Sequence, residues 1–246
     1  MMLSIEFGSQ KRGDCNYSSD KDLLLIDDCI QNLLSEKEVK KKLGYSVTCF
    51  PTDKARLLIQ NGSLFFRHII DEGKIVNGDK SWAKNIFNNW TTPRNYNNDI
   101  DGNLELLELL SYVPKTQEGL LVAADMVTIS IRNILIRQYA SRGKYIFSWN
   151  GIFKEAIRLK KININDRVVL THARQLKNLY RQGFNIRISF LFVERLLQIL
   201  NRILDKKLTI YFDMKKKYNQ TSRYSQGRLL STITFNRTFV CLLWVS

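Results

Sequence analysis

Between Phe7 and Ile26 the chain reads FGSQKRGDCNYSSDKDLLLI, and these residues could handle a nucleoside triphosphate. Gly8 and Ser9 form a small-residue turn that lets phosphate oxygens approach backbone amides. Asp20 and Asp22 are two apart, so on a strand they point to one face and can grip one cluster of magnesium ions. The apolar run Leu23 to Ile26 follows at once, as expected where a buried strand carries the acids. Lys11 and Arg12 add positive charge beside the same phosphates. Taken singly, a Gly-Ser pair is often only a turn and an Asp-x-Asp only solvated acid. Their spacing, with one strand ending at Gly8-Ser9 and the next opening at Asp20, is what makes the combination specific.

The elements that must position these residues are legible nearby. Ser4 to Phe7 and Lys21 to Ile26 read as strands. Gln31 to Leu43 reads as a helix, with Lys40 to Lys42 at its C-terminal end and Gly44 as its stop. Tyr45 to Phe50 is a third β-rich strand closed by Pro51, and a short helix over Ala55 to Gln60 follows, capped by Thr52 or Asp53. Phe65 to Ile70 and Lys74 to Val76 flank an Asp71-Glu72-Gly73 turn. Asn85 to Gly102, rich in asparagine, reads as a loop or linker. Helical spacing then dominates, over Thr116 to Arg142, Trp149 to Lys161, Arg167 to Arg181 and Ile186 to Leu204. The expected fold class is α+β. A domain over residues 1–82 with a short mixed sheet precedes a helical bundle over 83–205 and a basic tail over 206–246. For the tail, a disordered segment, an edge-strand extension and an out-of-frame end all remain open.

At 246 residues and 44% hydrophobic content the chain can bury a sizeable core. Its charge is lopsided. Residues 1–80 hold twelve basic and twelve acidic side chains, so the whole net charge of +15 lies beyond them. A surface so basic favours a polyanion, and a solvated helical face is the plain alternative. The cysteines Cys15, Cys29, Cys49 and Cys241 have no metal-ligand spacing, so reduced thiols and a cytoplasmic location are expected. The first residues lack the apolar core of a signal peptide. Ile186 to Leu204 carries Arg187, Glu194, Arg195 and Arg202, which marks a core helix and no membrane span.

The stretch GSQKRGDCNYSSDKDLLLI resembles the active-site signature of the DNA polymerase β-like nucleotidyltransferases. It is most similar to the minimal and antibiotic-modifying types, over about the first third of the chain. The resemblance implies that Gly8 and Ser9 bind the triphosphate and that Asp20 and Asp22 are magnesium ligands. It implies transfer of a nucleoside monophosphate, AMP from ATP in the leading case, with pyrophosphate leaving. The acceptor would be a hydroxyl of a small molecule, protein or RNA, held by a C-terminal helical domain. A third carboxylate, which activates the acceptor, is implied on the strand after the first helix. Tyr45 to Phe50 contains no acid, and Asp53 beyond Pro51 is the nearest candidate. The resemblance also implies a helix before the first strand, where only six residues precede Phe7. The alternative reading is a catalytically impaired nucleotide- or nucleic-acid-binding module of a toxin–antitoxin or defence pair.

Other residues invite plainer readings. His68 and His172 sit in no motif and are expected to be structural. Arg132-Asn133 is similar to the start of the HEPN-type ribonuclease motif, but Arg137-Gln138 stands where that motif needs histidine, so no ribonuclease is expected. Tyr139, Tyr145, Phe147 and Trp149 are expected in a core more than stacked on an acceptor. Lys215 to Lys217 read as a solvated run with nucleic-acid contact as the alternative.

Overall fold

The computed structural model describes residues 2–9, 21–93, 95–114 and 116–205. They fall into two compact units that divide between Asn95 and Tyr96.

The first unit is built on a mixed sheet of four strands in the order β3-β2-β1-β4, comprising β1 (Leu3–Phe7), β2 (Lys21–Asp27), β3 (Tyr45–Pro51) and β4 (Lys74–Asn77). β1 runs antiparallel to both β2 and β4, whereas β2 and β3 are parallel. The parallel pair needs a crossover, and α1 (Ile30–Lys42) supplies it. Strand alternation sorts the side chains into two faces. One buries Leu23 and Leu25 under Leu33 of α1. The other buries Ile5, Phe7, Leu24, Ile26 and Phe50 under α2 (Thr52–Gln60), α3 (Leu64–Glu72) and α4 (Lys80–Phe87). β2 is sandwiched between them, which is why Leu23 to Ile26 is one continuous apolar run.

Two expectations are corrected here. The Asp71-Glu72-Gly73 turn is shorter than expected, because α3 runs on through Glu72 and only Gly73 lies outside it, while Phe65, Phe66 and Ile69 are buried at helical spacing. The supposed loop Asn85 to Gly102 is in part helical. The Asp79 carboxylate caps α4 by accepting from the amides of Ser81 and Trp82, and Ala83 and Ile86 then enter the core. Trp90 beyond it donates its indole N–H to the Ser63 carbonyl at 3.0 Å. The first unit therefore reaches Asn95 and not residue 82, because α4 and Trp90 are part of its core.

The second unit gathers helices around α6 (Gln117–Ala140), preceded by α5 (Asn97–Glu108) and followed by α7 (Trp149–Arg158), α8 (Ile164–Arg181) and α9 (Phe190–Leu204). α6 is long and apolar enough to cross a membrane, yet most of its side chains are buried among its neighbours. α9 buries Val193, Leu196, Ile199, Leu200 and Ile203, the spacing of one helical face. Asp166, fully buried in the first turn of α8, closes a capping box with Asn163 and takes Arg195 at 3.1 Å and Arg202 at 2.6 Å from α9. A buried carboxylate so partnered fixes α8 against α9. Tyr139 is buried as expected and donates to the Ile152 carbonyl at 3.1 Å.

Candidate functional site

The antiparallel register places Phe7, the last residue of β1, opposite Asp22 near the start of β2. The chain turns at Gly8, whose φ of +86° is a left-handed conformation that favours glycine. Ser9 follows in helical conformation. A Cβ on Gly8 would lie 2.3 Å from Oδ2 of Asp22, closer than any real contact. Glycine is thus required twice here, once by the backbone and once by the carboxylate beside it. The structure places Gly8 against the Asp22 carboxylate, with Ser9 next in the chain. Lys11, Arg12 and Asp20 lie outside the described residues.

Asp22 is half-buried and shares its sheet face with Leu24 and Ile26. Its neighbour across the parallel ladder is Ser46, and Thr48 lies beside Leu24 on the same face. The strand after α1 thus offers one hydroxyl next to the aspartate, a second two residues along, and no carboxylate. On the opposite face, the Tyr45 hydroxyl donates to Oε1 of Glu6 at 3.0 Å, and the Lys21 ammonium stands 5.9 Å from the Tyr45 ring centre. Lys21 therefore points away from the Asp22 side of the sheet. Beneath the turn, the Phe7 ring meets Phe65 and His68 edge-on, and His68 lies 2.8 Å from the Glu72 carboxylate. His68 is a packed, partnered histidine, in line with its structural reading.

Asp53 does not join this group, which corrects its place as the third carboxylate. β2 and β3 are parallel, so Asp22 and Ser46 mark one end of the ladder and Asp27 and Pro51 the other. Five residues at about 3.3 Å each separate the two ends by roughly 16 Å. Asp53 lies beyond Pro51 in the first turn of α2, with its side chain 98% exposed and Arg56 4.0 Å away. Ligand bonds of about 2.1 Å leave no way for Asp22 and Asp53 to share a magnesium ion.

The fit to magnesium rests on Asp22 and Gly8. Asp22 supplies a hard oxygen donor, and its carboxylate lies against Gly8 where a Cβ would otherwise stand. Sequence reasoning did not single out Ser46. Its signal was the strand alternation of YSVTCF, which becomes readable once the β2–β3 register is known. Compared with protein-family models, curated proteins and solved structures, the chain matches none.

Proposed function

We propose that the first unit binds a nucleoside triphosphate together with magnesium, in the manner of a nucleotidyltransferase, and that its nucleotidyl transfer is impaired. The observation that carries this reading is the packing of Gly8 on the Asp22 carboxylate at one end of the ladder, with Asp53 at the other. The Gly8-Ser9 turn would receive phosphate oxygens on its amides and hydroxyl, and Asp22, with Asp20 preceding it in the sequence, would hold the ion. When bound, magnesium neutralises triphosphate charge. The acceptor proton is the weak point. General-base catalysis needs a group with a pKa suited to take that proton, and the hydroxyls of Ser46 and Thr48 are not bases. Nucleotide binding therefore survives while transfer slows.

Transfer of AMP from ATP to an acceptor hydroxyl is the second reading. It is favoured by the same Gly8–Asp22 contact, since the turn that would receive phosphate lies beside the carboxylate that would hold the ion. The two readings separate in one experiment with ATP and magnesium. Binding is measured at equilibrium and pyrophosphate release over time, for wild type, Asp22→Ala and Ser46→Asp. The impaired module binds ATP with magnesium and releases pyrophosphate no faster than Asp22→Ala. Wild-type release well above Asp22→Ala supports transfer. Absence of magnesium-dependent binding contradicts both.

A further inference from the structure

Between α2 and α4 of the first unit lies a half-open cavity of about 400 Å³, within the roughly 300–1,000 Å³ of small-molecule sites. Arg56 and Gln60 line it from α2, and their spacing of four puts them one turn apart on a single face. Asn85 of α4 lines it too, with Asn88 and Asn89 just past the end of that helix. Trp82 and Ile86, again four apart on α4, give the cavity apolar surface. Both also belong to the core: Ile86 is 6% exposed and Trp82 packs against the buried cluster. The apolar surface is therefore held in place from behind, while the polar groups flank it from two elements.

The polar groups are unspent. Among the described residues, the carboxamides of Gln60, Asn85 and Asn88 make no hydrogen bond. Asn89 gives its Nδ2 to the Asn85 carbonyl at 2.8 Å and keeps its Oδ1. A carboxamide both donates and accepts, as a hydroxyl does. Four of them, reaching the cavity from two elements, suit a ring that carries hydroxyls around its rim. The apolar face of such a ring can lie on an indole. Charge adds a second requirement. No acid lines the cavity, and Arg56 is its one cation. Arg56 meets Asp53 only at 4.0 Å, with the two side chains 52% and 98% exposed, so that pair is weak and its guanidinium can take another carboxylate in a fork.

We infer that this cavity binds a sugar acid, a sugar ring bearing a carboxylate. The ring lies against Trp82 and Ile86, the carboxamides of Gln60, Asn85 and Asn88 meet its hydroxyls, and Arg56 takes the carboxylate. Its source is either a free sugar acid or the terminal unit of a glycan, and both present the same groups. The inference is independent of the nucleotidyltransferase reading, because it uses neither Gly8, Asp22, ATP nor magnesium.

The test uses the full-length chain with nitrogen-15 label, without magnesium and with EDTA. The indole N–H signal of Trp82, assigned by its loss in Trp82→Phe, is followed on adding sodium glucuronate, its methyl glycoside, glucose, or sodium acetate at equal ionic strength. Glucuronate should shift the signal in a saturable way, glucose should bind about tenfold more weakly, and acetate should not shift it. A shift with glucuronate alone supports a free sugar acid, and a shift with the glycoside as well supports the end of a glycan. Arg56→Gln should weaken glucuronate binding about tenfold, as the loss of a charge-assisted hydrogen bond, and leave glucose binding unchanged. Arg56→Lys should restore only part of the loss, since an ammonium lacks the fork. Asn85→Ala should weaken both sugars about fivefold, as the loss of a neutral hydrogen bond. Arg56 and Asn85 are exposed, so these variants test the site even if Trp82→Phe fails to fold, the signal then being assigned from the backbone. No saturable shift with glucuronate or its glycoside, equal binding of glucose and glucuronate, or undiminished binding by folded Arg56→Gln overturns the inference.

Discussion

Gly8 bears on both the backbone and the chemistry. Its φ of +86° costs an alanine about 1–2 kcal/mol, and a Cβ would enter the space of the Asp22 carboxylate. Gly8→Ala should therefore lower unfolding stability by at least that amount, read in urea, and should abolish magnesium-dependent nucleotide binding by displacing Asp22. Ser46 allows the opposite experiment. A carboxylate there stands one strand spacing from Asp22, about 4.8 Å away, on the same face. Ser46→Asp should shift the magnesium dependence of ATP binding to lower concentrations. Gly8, Ser9 and Asp22 were legible in the sequence because their chemistry is local, a turn and a strand start. Asp53 was misplaced because its distance from Asp22 depends on β2 and β3 running parallel, which the helix read between them already implied but which was not carried through to the far end of β3.

Among the elements, one ionic contact joins α5 to α6, and another ties α7 to the loop before it. Arg137 of α6 is 3% exposed and donates to Asp99 of α5 at 3.3 Å. Removal of Asp99 leaves a guanidinium buried without that partner, so Asp99→Ala should cost roughly 3 kcal/mol in urea unfolding. Pairing Asp99→Leu with Arg137→Met should cost less, because no charge is then stranded. Glu155 of α7 is bound by Arg158 at 2.6 Å and Lys144 at 2.9 Å, and these hydrogen bonds hold its carboxyl at about 2, against the ordinary 4.5. A depressed carboxyl contributes stability above its unfolded value, and that contribution fades as pH falls from about 4.5 toward 2. Glu155→Gln should flatten the acid limb of the stability curve in that window and leave less stability at pH 7. Most helices of the second unit were readable from apolar spacing. The first turn of α4 was not, because it rests on one Asp79 cap and on Ala83 and Ile86 meeting a core assembled from distant strands.

For the whole molecule, charge and fold divide along the chain. The first 80 residues are neutral and carry the mixed sheet with its Gly8–Asp22 contact, and the +15 lies beyond them. The order of sheet then helices was readable from the change of apolar period along the chain. The point of division at Asn95 was not, since Trp90 looks like linker until its bond to Ser63 is seen. The first unit is proposed to take a triphosphate through magnesium held at Asp22. Equilibrium binding of labelled ATP to the full-length protein tests it most directly, with magnesium or with EDTA, for wild type and Asp22→Ala. Wild type should bind only when magnesium is present, and Asp22→Ala should lose about tenfold or more, at least 1.4 kcal/mol. Equal binding by the folded variant, or binding by wild type indifferent to magnesium, would contradict it.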